Sequence, residues 1–173
     1  MGASIQGLDK FKLDVGGSNI KSKQTGTFSI DDGSLTKTVT ITAINPNIAM
    51  LKVTFLNNTA YQPTNMYIKG VITNSTTLTF TLQNATWTEF VSWEVIEYNN
   101  VKSKQSGTYS GGGSIVALSP INSLKSICEV NFNCVGNATN DTLIRIILSN
   151  TTLSFSSGGA GSNNYYWQVI EFN

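Results

Sequence analysis

One strand motif occurs twice in this chain, and it constrains the fold more than any other feature. Residues 93–98 read Trp-Glu-Val-Ile-Glu-Tyr, and residues 167–172 read Trp-Gln-Val-Ile-Glu-Phe. Upstream, residues 20–28 (Ile-Lys-Ser-Lys-Gln-Thr-Gly-Thr-Phe) return as residues 101–109 (Val-Lys-Ser-Lys-Gln-Ser-Gly-Thr-Tyr). Two blocks that recur in the same order indicate a tandem duplication, so the two copies are expected to share one fold.

The spacing of apolar residues in both copies predicts β-strands. In each motif the Trp, the Val and the second Glu share one face, and a period of two rich in aromatic and β-branched residues is typical of a buried strand. Residues 38–42, 51–55 and 76–82 alternate in the same one-sided way. One-sided alternation along consecutive short strands is typical of antiparallel sandwiches. The sequence therefore predicts an all-β chain of two tandem antiparallel β-sandwich modules with about six strands each.

The predicted strands also divide the chain. We predict strands at residues 20–29, 36–43, 49–57, 66–73, 76–83 and 90–98, and again at 101–109, 113–118, 126–135, 142–149, 151–156 and 164–172. The resulting units are an N-terminal segment (1–19), module 1 (20–99) and module 2 (100–173). Only Asn99 and Asn100 separate the two runs of strands. Because a linker this short leaves little freedom, the modules are expected to sit at a fixed angle.

The N-terminal segment carries an apolar stripe made of Ile5, Leu8 and Phe11. Residues that recur at three-residue steps predict a short amphipathic turn or helix. A chain start is usually ordered only where something holds it in place. We therefore interpret residues 1–19 as an anchoring segment that docks either onto this protein's own modules or onto a neighbouring protein.

The composition excludes several classes of function. Charged residues make up 12% of the chain, about half the usual share, and the net charge is +1. This balance gives no electrostatic basis for binding nucleic acid or an acidic membrane. We find no long apolar run and no leader sequence, so membrane insertion is not expected.

The residue types that usually carry catalysis are also missing. The chain has no His, which removes the commonest general base and the commonest metal ligand. It also lacks a nucleophile motif, a carboxylate pair and a phosphate-binding loop. We therefore predict that the protein is not an enzyme and that it has no catalytic, cofactor-binding or metal-binding residues.

Matched residues of the two closing strands are expected to be structural. Trp93 and Trp167 are predicted to be core or interface residues. Glu97 and Glu171 share a strand face with valines, which is an unusual place for an unpaired carboxylate. Structural pairing is favoured over a general acid/base role, and the candidate partners are the lysines of the opening strands, Lys21, Lys23, Lys102 and Lys104.

The two cysteines, Cys128 and Cys134, both lie in the second copy. If one strand carries both, they are about 20 Å apart at ~3.3 Å per residue and cannot bond to each other. A turn between them would allow a disulfide. We expect free, partly buried thiols, and with no His and no further Cys a zinc site is not expected.

The repeated blocks resemble modules of structural and adhesion proteins of tailed bacteriophages, and they are similar to the H-type lectin fold. The resemblance rests on residues 24–27 and 105–108 (Gln-Thr/Ser-Gly-Thr) and on the Trp-x-Val-Ile-Glu-aromatic strands, and it covers nearly the whole chain beyond residue 19. It implies an antiparallel sandwich that usually assembles as a trimer. H-type lectins hold sugar with the help of a Trp-His pair before the last strand. Here Thr88 follows Trp87 and module 2 has no counterpart, so no sugar-binding residue is carried over.

Loop aromatics are the best ligand candidates on chemical grounds. Trp87, with Asn84 and Thr86 beside it, offers a ring for the C–H face of a sugar and side chains for directional hydrogen bonds. Tyr61 and Tyr165 are two further loop aromatics. The alternative interpretation, which we favour, is that these rings cover the ends of the sandwich or pack against a neighbouring subunit.

Together these features predict a bacteriophage virion structural protein on the particle surface, with a tail-fibre or receptor-binding (host-adhesion) role. A head decoration or head-fibre role is the alternative within that class. A free-standing carbohydrate-binding lectin is the alternative of another class. The expected partners are other virion proteins, bound through residues 1–19, further copies of the chain in a homo-oligomer (a trimer), and possible host cell-surface glycans.

Overall fold

The computed structural model describes residues 19–30, 34–57, 68–82, 89–110, 114–135, 145–156 and 162–173. In that part of the chain the regular structure is β-strand, apart from two short 3-10 helices, Pro46–Ile48 and Ser123–Lys125. Neither helix is long and apolar enough to cross a membrane. The prediction of an all-β chain is confirmed.

Within the described residues each copy contributes six strands. The first copy has β1 (Ile20–Ile30), β2 (Thr36–Thr40), β3 (Ala49–Asn57), β4 (Ile68–Asn74), β5 (Thr77–Leu82) and β6 (Glu89–Tyr98). The second copy has β7 (Val101–Ser110), β8 (Ser114–Ala117), β9 (Ser126–Val135), β10 (Arg145–Leu148), β11 (Thr152–Ser156) and β12 (Ser162–Phe172). The observed strands fall where alternation predicted them, with ends that differ by a few residues.

In the part of the chain that the structure describes, the strands form four antiparallel sheets of three strands each. In the first copy the sheet orders are β1-β6-β3 and β2-β5-β4, and in the second they are β7-β12-β9 and β8-β11-β10. Adding six to each strand number of the first copy gives the order of the second, so the duplication is visible in the topology. No sheet in the described part of the chain takes strands from both copies.

Each copy also has its own hydrophobic cluster, to which both of its sheets contribute. In the first copy Leu51 of β3 belongs to the same buried cluster as Phe80 of β5. In the second copy Val169 of β12 belongs with Phe155 of β11. This sandwich-like packing follows from the alternation of the strands, because every second residue of each strand points between the two sheets.

The closing tryptophans pack against glycines of the opening strands. Gly26 lies opposite Trp93 in the β1–β6 register, and Gly107 lies opposite Trp167 in the β7–β12 register. A Cβ atom at Gly26 would lie 2.5 Å from the Trp93 ring, and one at Gly107 would lie 2.8 Å from the Trp167 ring. Both positions therefore require glycine. Trp167 is buried in its cluster and Trp93 packs half-buried against the other, as the sequence predicted.

The two copies are joined by Asn99 and Asn100 alone, between β6 and β7. Asn100 has a φ of 57°, a left-handed conformation that Asn tolerates better than most residues. The N–H of Asn99 donates to the carbonyl of Asn19 (2.7 Å), and the N–H of Asn173 donates to the carbonyl of Asn100 (2.9 Å). The linker is therefore bonded both to the start of the first copy and to the end of the second.

Both cysteines lie on one strand, β9, which is the arrangement in which they cannot bond to each other. Cys128 is a free thiol. Burial raises the pKa of Cys128 to about 11, with a smaller contribution from the nearby Glu129, so this thiol is not activated at neutral pH.

We expect Trp167→Ala to lower the free energy of unfolding by about 3–5 kcal/mol, because removing a buried ring leaves a cavity above Gly107. Trp93→Ala should act in the same direction. The measurement is urea denaturation followed by circular dichroism. Thr108→Ala, at an exposed position next to Gly107, is the control and should change stability by less than about 0.5 kcal/mol. A wild-type midpoint for Trp167→Ala would contradict its place in the core.

Candidate interaction surfaces

The carboxylate of Glu97 is buried and receives three hydrogen bonds. The Lys21 ammonium and the N–H of Asn45 donate to its Oε1 atom (2.8 and 3.0 Å), and the Ser22 hydroxyl donates to Oε2 (3.0 Å). Burial opposes ionisation of Glu97, but these donors outweigh it and hold the pKa of Glu97 below its ordinary value. An ionised carboxylate held by three hydrogen-bond donors connects parts of the fold and does not serve as a proton donor for catalysis.

The second copy repeats this arrangement atom for atom at Glu171. The Lys102 ammonium (2.8 Å) and the N–H of Asn122 (2.9 Å) donate to Oε1, and the Ser103 hydroxyl (3.2 Å) donates to Oε2. The hydrogen bond from Lys102 is the largest of the causes that lower the pKa of Glu171. Structural pairing of both glutamates is therefore confirmed. It uses only the first lysine of each opening strand.

The second lysines have different partners in the two copies. Lys23 forms an ion pair with Glu94 at the surface. Lys104 instead donates across to the first copy, to the carbonyl oxygens of Pro46 (2.8 Å) and Ala49 (2.6 Å). Burial lowers the pKa of Lys104 to about 8. One cation of the second copy thus binds the 3-10 helix that precedes β3.

Gln168 makes a second polar contact between the copies. Its side chain is fully buried. Its Nε2 atom donates to the carbonyl of Leu51 (3.0 Å), and the N–H of Leu51 donates to its Oε1 atom (3.3 Å). A primary amide carries the same donor and acceptor as a peptide group. The Gln168 side chain therefore pairs with β3 as a neighbouring strand would.

Apolar residues accompany these polar contacts. Met50, Ile96 and Ile170 are buried, yet they belong to neither core cluster. They alternate with core residues along their strands and so lie on the outward faces of the two sheets. The rings of Tyr98 and Phe172, one from each copy, pack edge to face with centroids 5.5 Å apart. The outward faces of the two copies therefore cover each other at this end.

One open groove lies at the contact between the copies, and another lies on the first copy. One, of about 490 Å³, has walls from both copies, including Pro46, Ile72, Lys104 and Tyr166. At the same junction the Lys69 ammonium lies 5.7 Å from the centre of the Tyr166 ring. The other groove, of about 390 Å³, lies on the first copy alone. Its lining comes from the outward face of β1-β6-β3, with Thr25, Thr27, Lys52, Thr54, Ser92 and Glu94.

The structure describes only one of the predicted ligand and anchor residues. Trp87, Asn84, Thr86 and Tyr61 lie outside the described residues, as do Ile5, Leu8 and Phe11. Tyr165 is described, and it lies within β12 instead of in a loop. Its side chain is fully buried and stacks on Phe155 with ring centroids 4.8 Å apart. Tyr165 is therefore a core residue, and its ring does not face solvent as a ligand residue would need.

Sequence reasoning missed the residues that join the copies, Gln168 and Lys104. A signal for Gln168 was present, because Glu94 and Gln168 are the second residues of the two closing motifs and the only interior positions at which they differ. Lys104 carried no such signal, since Lys23 occupies the matched position.

No group of three or more His, Cys, Asp or Glu side chains is arranged to hold a metal ion within the described residues. No protein-family model matches the sequence, and neither a curated protein nor a solved structure matches it significantly. The interaction surfaces are thus the chemical features from which a function can be argued.

We expect Gln168→Glu to lower the free energy of unfolding by about 2–5 kcal/mol, because a carboxylate would be buried and could not donate to the Leu51 carbonyl. Urea denaturation measures the loss. The matched control is Glu94→Gln, which converts the equivalent residue of the first copy and removes only a surface ion pair, worth about 0–1 kcal/mol. Equal effects of the two substitutions would contradict the buried role of Gln168.

Lys104 should make stability depend on pH in the alkaline range. Its pKa is about 8 in the folded protein and 10.5 ordinarily, so between these values unfolding takes up a proton and stability rises with pH. Lys104→Met lacks this site. From roughly pH 7 to pH 10, the urea midpoint of wild type should therefore rise relative to that of Lys104→Met. A pH-independent difference would contradict the lowered pKa.

Proposed function

We propose that this chain is a structural protein of a bacteriophage particle, displayed on the virion surface, with a tail-fibre or receptor-binding role. The observation that carries the proposal is the way the second copy binds the first, through Gln168 and Lys104 on the main chain of β3 and its preceding helix. Two small β-units held together in this way form one stiff body. A stiff repeated body suits a projecting element of a particle.

The chemistry of the described residues supports a scaffold more than a catalyst. The buried carboxylates, Glu97 and Glu171, are each bound by a lysine, a hydroxyl and a main-chain N–H. The described thiol, Cys128, has a raised pKa. None of these groups is left poised to transfer a proton or to attack a substrate.

In this proposal residues 1–19 attach the chain to other virion proteins, with Ile5, Leu8 and Phe11 as the contacting side chains. The two copies project from that attachment. The loops that carry Tyr61 and Trp87 would then be candidates for contact with a host cell-surface glycan. A head decoration or head-fibre role uses the same architecture at another position on the particle.

Imaging of purified particles tests the proposal. We expect antibody labelling to mark the tail, and particles made without this protein to lose a projection there and to adsorb poorly to cells. Replacing Ile5, Leu8 and Phe11 together by Asp should prevent incorporation while leaving the β-sheet circular dichroism of the protein unchanged. Labelling of the head would establish the decoration alternative.

Absence of the protein from purified wild-type particles would refute every virion role. Binding of the free protein to a glycan array in that case would establish the lectin alternative.

A further inference from the structure

The contact between the two copies has two unlike sides. The second copy contributes the outward face of β7-β12-β9, with Gln168 and Lys104, which we call the docking face. The first copy contributes the side formed by β3, β4 and the 3-10 helix Pro46–Ile48, which we call the docking edge. Because the contact joins unlike surfaces, it leaves the docking edge of the second copy and most of the docking face of the first copy unused within the described residues.

The unused edge belongs to the second copy and has the backbone geometry of the used one. Leu51 lies opposite Val95 in the first copy, and Cys128 lies opposite Val169 in the second. Both β3 and β9 are edge strands of their sheets. The N–H and C=O of Cys128 therefore point to the free side of β9, as those of Leu51 point to Gln168.

Matched residues show that this second edge is more exposed than the first. Ile147 of β10 lies opposite Ser154 in the register, as Val71 of β4 lies opposite Thr79. Val71 is half-buried, whereas Ile147 is 47% exposed. Leu124, in the 3-10 helix of the second copy, is 95% exposed. Apolar side chains thus lie on an edge that faces solvent.

The matching face belongs to the first copy. Its end at Met50 and Ile96 is buried, and the rest of the face is open. Lys52 and Thr54 are exposed there, whereas their register equivalents in the second copy, Glu129 and Asn131, are half-buried and buried. The side chain of Glu94 is 28% exposed where Gln168 is fully buried. The groove of about 390 Å³ lies on this face.

We propose that the docking face of the first copy binds the docking edge of the second copy in another molecule of this same chain. The intramolecular contact is the template. In it, Gln168 and Lys104 offer hydrogen-bond donors and an acceptor to the main chain of the edge. On the free face, Glu94 stands at the position of Gln168 and offers acceptors only, while its ion-pair partner Lys23, at the position of Lys104, offers the donors for main-chain carbonyl groups. The free edge supplies main-chain groups and the side chains of Leu124 and Ile147.

This self-association is head to tail, so every molecule uses its docking face in one contact and its docking edge in another. Such contacts close into a ring or continue as a chain, depending on the angle that each adds. The inference stands on the contact between the copies and does not depend on where the protein is located. A failure of the virion proposal therefore leaves it intact, and the reverse also holds.

The test is the mass of the purified full-length chain by light scattering over a range of concentrations. We expect a concentration-dependent oligomer. Thr54→Arg on the face and Ile147→Lys on the edge should each weaken self-association at least about tenfold. Ile115→Lys is the matched control, since it places the same charge on an exposed isoleucine of β8 and should assemble as wild type. Leu124→Lys is a second edge variant, at a position too exposed to affect folding.

Mixing distinguishes this contact from any other. A Thr54→Arg chain keeps its edge, and an Ile147→Lys chain keeps its face, so an equimolar mixture should form a one-to-one dimer and nothing larger. A wild-type chain that stays monomeric at all concentrations overturns the proposal. So does an oligomer that survives both edge variants, or a mixture of the face and edge variants that stays monomeric.

Discussion

The outer edge of β3 carries main-chain N–H and C=O groups that β6 does not reach, because β6 pairs with the other edge. Unpaired edge groups are a standing liability of small sheets. In this chain the liability at Leu51 is removed by a side-chain amide from the other copy, together with an ammonium on the carbonyls of Pro46 and Ala49. The relative placement of the copies depends on the Gln168 side chain, which pairs with β3 where a neighbouring strand would otherwise pair.

Within each copy a buried carboxylate has a comparable organising role. Glu97 connects the closing strand to the opening strand through Lys21 and Ser22, and to the start of the 3-10 helix through Asn45. Removing one partner of such a group would leave charge or donors without compensation in a buried place. Since the second copy repeats every contact at Glu171, this cluster belonged to the ancestral unit before duplication.

Most of the secondary structure could be predicted from alternation and from the repeat, because strand formation here is a local consequence of residue period. The pairing of Glu97 and Glu171 was also predictable, since a carboxylate on a valine face needs a cation. Tyr165 was assigned to a loop because it follows a Gly/Ser-rich run, although the predicted strand 164–172 already contained it, and β12 begins at Ser162.

The packing of the copies was beyond sequence reasoning. Glu94 and Gln168 occupy matched positions, and the difference between them looks conservative in the sequence. Its structural effect depends on which neighbouring element covers the strand. Lys23 and Lys104 are identical residues at matched positions, and only the tertiary arrangement sends one to a carboxylate and the other to carbonyl groups.

The linker gives the molecule an unusual mechanical layout. Asn19, at the start of the first copy, and Asn173, at the end of the second, are both hydrogen-bonded to the two linker residues, so chain entry, crossover and exit share one place. A pulling force applied between residues 19 and 173 would load those few bonds first. The opposite ends of both sheets would carry no tension while these bonds hold.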